Sequence, residues 1–269
     1  MTTGVRVQAA GRSRLILALD VETLAAARQV LQQVHDVVGT VKVGKELFTS
    51  VGPAALDLCR EFDLPVFLDL KFHDIPNTVA GAVRAATRHG AAWVSLHTAG
   101  GAAMLEAAVQ ARDETAGATR PKLLGITVLT SLPTLDPEEV VDRALLAQRC
   151  GLDGIVASPH DIRRVRQACG PRFAIVTPGV RPAGAERGDQ VRVATPGEAI
   201  RDGADALVVG RPILGAADPR AAAAAIVAQI AAAEAGAARV DVPDAGSIDA
   251  RLGRMLEESQ ALLEGHFVL

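Results

Sequence analysis

The chain has 269 residues, 49% of them hydrophobic, which suits one large domain or two small ones with a sizeable core. A net charge of −3 gives no reason to expect nucleic acid or an anionic membrane as partner. With 3% aromatic residues and no tyrosine, the chain lacks the material for a base-stacking platform. Cys59, Cys150 and Cys169 are odd in number and widely spaced, so neither a disulfide framework nor a zinc site is expected. Each stands near the end of a helical pattern and reads as a small buried thiol in a reducing cytoplasm. Residues 1–14 carry three arginines without a signal-type apolar core, and no apolar run reaches the roughly 18 residues of a membrane span.

From residue 15 onward, apolar runs alternate with helical patterns. The runs are "LILALD" (15–20), "GTVKVG" (39–44), "PVFLDLK" (65–71), "AWVSLHT" (92–98), "KLLGITVL" (122–129), "GIVASP" (154–159), "FAIVTPGV" (173–180) and "ALVVGR" (206–211). Most are rich in Val, Ile and Leu, as strands covered on both faces are. Between them, "VETLAAARQVLQQVHDVV" opens on Glu22 and repeats apolar residues at helical spacing. "SVGPAALDLCREF", "NTVAGAVRAATRHG", "GGAAMLEAAVQAR", "PEEVVDRALLAQRCG", "HDIRRVRQACG", "TPGEAIRDGA" and "DPRAAAAAIVAQIAAA" follow the same logic. Gly90, Gly151, Gly170 and Gly203 stand where helices should stop.

Parallel strands need right-handed helical crossovers, and eight such units close into a (β/α)8 TIM barrel. An open doubly wound sheet is the competing arrangement. Its phosphate-binding glycines would follow the first strand; here glycine–arginine turns follow late strands, which favours the barrel. The barrel is expected over 12–235. In residues 236–269, "AGAARVDVPDAGSID" reads as a linker and "ARLGRMLEESQALLEGHFVL" as a helix leading into a further element.

Charges sort onto strand ends. A strand alternates its faces, so in the third run Val66, Leu68 and Leu70 share one face and Phe67, Asp69 and Lys71 the other. The charged face should point into the barrel near its C-terminal mouth, with Asp74 on the loop beyond. Asp20 ends the first strand, Lys42 lies near the end of the second, His97 ends the fourth and Thr130 follows the fifth. Pro178, Gly179 and Arg181 follow the seventh; Gly210 and Arg211 end the eighth. In this architecture that end carries the active site. Any one of these charges alone reads as a structural ion pair; the set at consecutive strand ends reads as a site. His97 alone reads as a hydrogen-bonded packing histidine, and His35, His73, His89 and His160 as structural or surface residues. No His/Asp/Glu cluster has metal-ligand spacing. "VTPGVRP" and "VVGRPI" place Gly and Arg where such barrels commonly bind phosphate, with arginine as a forked donor.

Together these residues resemble the orotidine 5'-phosphate decarboxylase family, of bacterial type. "DLKFHDIPNT" matches its Asp-x-Lys-x-x-Asp-Ile-Pro-Asn-Thr signature, and "LALD", "KVGKELF", "LTS", "TPGVRP", "GDQVRV" and "VVGRPI" fall in family order. The resemblance implies Lys71 as proton donor, Asp69 as the carboxylate beside the substrate carboxylate, and Lys42 as its flanking partner. It implies that Asp74 and Thr78 are lent by the second subunit of a homodimer, with Ile75 a further substrate-binding position. Asp20 then contacts ribose hydroxyls, Thr130 and Pro178 lie beside the pyrimidine, and Arg181, Gln190, Gly210 and Arg211 lie on the phosphate side. No metal or organic cofactor is implied.

Loss of CO2 from such a substrate leaves a carbanion on ring carbon C6 with little ordinary delocalisation, so the protein must stabilise charge electrostatically. Lys71, held by Asp69 and Asp74, would place an ammonium there and then donate its proton. "RPAGAERGDQ" (181–190) is the expected lid, with Arg181 and Gln190 closing over the phosphate. Deleting residues 183–188 should then lower turnover of the full substrate, and unchanged turnover would exclude the lid. One rival is a sugar-phosphate lyase or decarboxylase of the hexulose-phosphate synthase group. Those enzymes share Asp-x-Lys-x-x-Asp but typically need magnesium, and "IPNT" and "GDQ" argue against them. A Schiff-base aldolase would need Lys71 as a free amine, which flanking aspartates disfavour. A nucleotide-binding module without catalysis is the non-enzyme rival. The tail segment "LLEGHFVL" resembles the opening of orotate phosphoribosyltransferase; an ordinary amphipathic terminal helix is the plain reading.

Overall fold

The computed structural model describes residues 11–115, 117, 120–127, 137–182 and 194–236. Within them lie β1 (Leu15–Ala18), β2 (Thr40–Gly44), β3 (Val66–Phe72), β4 (Trp93–His97), β5 (Lys122–Ile126), β6 (Gly154–Val156), β7 (Ala174–Thr177) and β8 (Ala206–Val209). They form a closed barrel in chain order. Pairing is parallel throughout, and β1 meets β8 with Ile16 opposite Val208. This is the expected (β/α)8 architecture; the β1–β8 pairing rules out the open sheet.

Alternation along each strand produces two packing layers. Ile16, Ala18, Phe67, Leu124, Val176, Ala206 and Val208 fill the barrel interior. Leu15, Leu17, Val41, Val66, Leu68, Val94, Leu123, Ile155, Ile175 and Leu207 face the helices. In β3 the faces divide as the sequence predicts, with Phe67 inward and its ring centroid 6.0 Å from that of Trp93. Burying so many large aliphatic side chains stabilises by about 1.5–3 kcal/mol each before entropy is subtracted.

The helices are α1 (Leu24–Val34), α2 (Lys45–Val51), α3 (Ala54–Glu61), α4 (Pro76–Arg88), α5 (Gly101–Thr115), α6 (Pro137–Arg149), α7 (Ile162–Cys169), α8 (Pro196–Arg201), α9 (Arg211–Leu214) and α10 (Pro219–Gly236). Two expectations shift. Glu22 lies outside α1, because the Thr23 hydroxyl accepts the Ala26 N–H at 3.2 Å and sets the start at Leu24. "SVGPAALDLCREF" spans two helices, because Gly52 has φ 62° and Pro53 cannot continue the ladder. All three cysteines are buried and free; burial pushes the Cys59 and Cys169 thiols up to about 12, so they are inert. No helix among the described residues is long and apolar enough to cross a membrane. Of the predicted linker and tail, only Gly236 is described, and it is the last residue of α10 rather than linker.

The N-terminal end of the barrel is tied by one device used twice. Asp153 and Asp205 stand just before β6 and β8. Each accepts a backbone N–H of the preceding strand at 2.8 Å, from Leu123 and Ile175. Each also accepts from a buried arginine at 2.6 Å, from Arg112 of α5 and Arg166 of α7. The N-terminal end is thus a stability face, as this architecture divides its work.

Candidate active site

At the opposite end, four charges form a line of alternating sign. Lys42 rises from β2, and its Nζ lies 3.0 Å from Asp20 Oδ1 and 3.8 Å from Asp69 Oδ2. Lys71 Nζ lies 2.7 Å from the same Asp69 oxygen. β1 ends at Ala18, so Asp20 stands on the loop two residues past its strand. Gly44 leaves the space this line needs: a Cβ there would sit 3.0 Å from Lys42 Nζ and 3.1 Å from Asp20 Oδ1.

The Lys71 backbone departs from strand geometry. In the β3–β4 register, Leu68 opposes Val94 and Phe72 opposes Leu96. Asp69, Leu70 and Lys71 therefore stand against Ser95 alone, which is a bulge. Lys71 takes φ 56°, a left-handed conformation that side chains other than glycine rarely adopt. Holding it costs about 1–3 kcal/mol. The displaced Lys71 N–H donates to Ser95 Oγ at 3.0 Å, and that hydroxyl donates to Asp69 Oδ1 at 2.8 Å. Each Asp69 oxygen thus has its own partner.

Burial on its own would push the Asp69 carboxyl up. The ammonium groups of Lys71 and Lys42, with the hydrogen bonds from Lys71 and Ser95, outweigh it and hold the carboxyl below its usual range. Asp69 is therefore ionised at neutral pH. His97 is held below its usual value by burial first, then by His73, Lys71, Lys45 and Arg143. It differs from the expectation in its contacts. Among the described residues its ring has no hydrogen-bond partner and packs at 5.4 Å on the ring of His73.

Beside this line lies a cavity of about 200 Å³, lined by Ala18, Asp20, Lys42, Pro178, Gly179, Arg181, Val208, Gly210 and Arg211. The turns after β7 and β8 meet the charged line here. Gly210, at φ −115° and ψ −94°, starts α9; a Cβ there would lie 3.2 Å from Ala18 Cβ. Arg181 is buried, and its N–H donates to Ala194 O at 3.0 Å. The cavity is thus lined by two arginines and a lysine against the single carboxylate of Asp20, a net positive lining that suits an anion.

The structure brings together Asp20, Lys42, Asp69, Lys71, Pro178, Arg181, Gly210 and Arg211. It does not bring in Asp74, Ile75 or Thr78. Residues 73–78 are exposed throughout, and Ile75, at 67%, is the one exposed large hydrophobic residue among those described. The Asp74 carboxylate accepts its neighbour's N–H, from Ile75 at 2.7 Å, and makes no ion pair among the described residues. Thr130, Gln190 and the 183–188 lid segment lie outside the described residues. No group of three or more His, Cys, Asp or Glu among the described residues could hold a metal ion. Gly44 and Ser95 belong to the site as well, though no sequence motif singles them out. Period-two alternation back from His97 puts Ser95 on the inward face, and that was the available signal for it.

Fold and site define a (β/α)8-barrel protein whose C-terminal mouth joins a lysine–aspartate line to a cationic pocket. The chain belongs to the family described as "Orotidine 5'-phosphate decarboxylase / HUMPS family", whose sequence model matches residues 13–226. It is 53% identical over 233 residues to a protein of Moorella thermoacetica named orotidine 5'-phosphate decarboxylase, covering 81% of this chain and 92% of that one. A protein of the same name from Syntrophotalea carbinolica is 50% identical over 235 residues, covering 82% and 96%. The crystal structure of orotidine 5'-phosphate decarboxylase from Lactobacillus acidophilus superposes with a TM-score of 0.71 at 34% identity, covering 80% of this chain and 98% of that one.

Proposed function

We propose that this chain converts orotidine 5'-phosphate to UMP and CO2, as its relatives are named for doing, in de novo pyrimidine biosynthesis. The observation that carries the reading is the Lys71 ammonium held 2.7 Å from an ionised Asp69, at the same mouth as the arginine-lined cavity. With phosphate near Arg181 and Arg211 and ribose near Asp20 and Lys42, the pyrimidine reaches toward Lys71. The bond from C6 to the carboxylate breaks, and its electron pair stays on C6. The Lys71 ammonium stabilises that pair and then transfers a proton to it; solvent returns the proton to the amine. Asp69 aims the ammonium and stands as an anion against the departing carboxylate.

The site is completed by a second copy of the chain. Asp74, Ile75 and Thr78 form an exposed edge beside the mouth, and an exposed Ile next to a carboxylate with no ion pair among the described residues suits a surface that a partner covers. Lys71→Ala and Asp74→Ala chains are each expected to be inactive alone. Co-expressed, they form heterodimers with one complete site, and activity reappears. If the co-expressed pair stays inactive while both chains fold, Asp74 does not serve across an interface. Residues 237–269 are proposed as a linker and the opening of a phosphoribosyltransferase-like domain; a downstream coding sequence without such a domain would exclude this.

The deciding assay follows loss of orotidine 5'-phosphate absorbance in the presence of a chelator. Undiminished turnover is expected. Activity confined to a sugar phosphate, and abolished by the chelator, would instead support the magnesium-dependent lyase reading.

A further inference from the structure

We infer that Ser95 is a positioning residue, whose one hydroxyl holds both the displaced Lys71 peptide and the Asp69 carboxylate that aims the Lys71 ammonium. The inference rests on the decarboxylase reading. It is carried by the bulge, which sets Asp69, Leu70 and Lys71 against Ser95 alone. Backbone groups alternate sides along a strand: Pro65 O faces β2 and accepts from Val41 N, and Val66 O faces β4 and accepts from Ala92 N, so regular alternation would aim the Lys71 N–H at β2. Here that donor has left the ladder, and Ser95 Oγ accepts it at 3.0 Å. The same oxygen gives its proton to Asp69 Oδ1 at 2.8 Å. Ser95 is fully buried, so water cannot take over either bond.

The consequence is geometric. Lys71 Nζ reaches Asp69 through the side chain at 2.7 Å, and Lys71 N reaches it through Ser95. Both ends of the lysine are referred to one carboxylate. Without the hydroxyl, the left-handed Lys71 backbone loses the bond that offsets its strain, and the ammonium loses its fixed origin. A displacement of about 1 Å at a reacting group costs on the order of 10²-fold in rate. The groups facing Asp69 are Lys71 on its own strand, Lys42 on β2 and Ser95 on β4, with Asp20 acting through Lys42.

Three variants test it. Ser95→Ala removes the hydroxyl, Ser95→Cys keeps the volume with only a weak donor, and Ser95→Thr keeps the hydroxyl. In Ser95→Ala and Ser95→Cys, kcat is expected to fall on the order of 10²-fold, while UMP affinity changes by less than about threefold because the phosphate and ribose contacts are untouched. Ser95→Thr restores kcat. The Asp69 carboxyl, with one fewer hydrogen bond to its ionised form, titrates at higher pH. The acid limb of kcat/KM therefore moves up in Ser95→Ala and Ser95→Cys, and the Asp69 carboxyl carbon signal in NMR moves with it, with no substrate needed. If Ser95→Cys matches the parent in rate and titration, Ser95 is packing and the inference fails. Should the parent itself not turn over orotidine 5'-phosphate, the decarboxylase reading fails, while the Asp69 titration still decides the link to Ser95.

Discussion

Lys71→Ala is expected to lower kcat on orotidine 5'-phosphate by on the order of 10⁴-fold or more, because under the proposed mechanism it removes both the general acid and the charge facing the carbanion. Nucleotide binding should survive, because the cavity lined by Asp20, Lys42, Arg181 and Arg211 does not include Lys71. Alanine is the right replacement because it keeps a Cβ. The left-handed backbone at φ 56° therefore carries a similar cost in both proteins, and the comparison isolates the ammonium. Asp69 also has Lys42 at 3.8 Å and Ser95 at 2.8 Å, so removing the Lys71 ammonium does not orphan its charge. Stopped-flow or steady-state absorbance, with UMP titration as the binding control, measures both quantities. Equal turnover by variant and parent would remove Lys71 from the chemistry. Loss of binding together with turnover would point to a nucleotide-holding role instead, as the module without catalysis would have.

Arg166→Met is expected to destabilise the fold by about 3–5 kcal/mol, at about 1–3 kcal/mol for each of the three carbonyls left without a donor, while the folded variant keeps the parent kcat. Arg166 is 5% exposed. It donates to Gly170 O at 2.7 Å, Phe173 O at 2.8 Å, Gly203 O at 2.7 Å and Asp205 Oδ2 at 2.6 Å. Asp205 keeps the Ile175 N–H and is partly exposed, so water can replace the arginine there. The three carbonyls matter more, because methionine fills the space but offers them no donor. The backbone cannot compensate. Gly170 and Gly203 hold φ 77° and 111°, and a Cβ at Gly203 would press on Arg166 Cγ at 3.1 Å. Urea unfolding of parent and variant gives the difference. A loss below about 1 kcal/mol, typical of a surface change, would show that these bonds add little beyond what water supplies. Arg166→Lys should not rescue, since a single ammonium cannot span acceptors that the planar fork reaches at once.

These two results concern opposite ends of one barrel, and the sequence announced the two ends unequally. The charged mouth was legible because strand periodicity is short-range physics. Asp69 and Lys71 share a face with Phe67, Asp20 ends its run and Lys42 lies near the end of its own, so each could be placed from its immediate neighbours. The glycines that stop helices were legible for the same reason, since a left-handed residue after a helix is a local demand. Closure of the eight units followed from crossover handedness, a rule about chains in general.

The break of "SVGPAALDLCREF" at Gly52–Pro53 is local and legible from its own residues; the features outside the reach of sequence depend on neighbours distant in the chain. Pairing of Arg166 with Asp205 joins residues 39 apart, and no periodicity couples a helix to the strand start after next. The bulge in β3 arises only because β4 is laid beside it, since register belongs to the pair of strands. Ser95, opposite three residues at once, acquires its two hydrogen bonds from that register. Asp74 carries the same lesson from the other side. The motif places it in sequence with Asp69 and Lys71, but the chain turns outward after Phe72 and leaves it exposed. Alternating apolar and charged residues thus determined by themselves which side chains face the barrel axis and at which end the charges lie. The tertiary structure decided which of those charges touch, because contact distance depends on register and closure, and these are settled only when all the strands are in place.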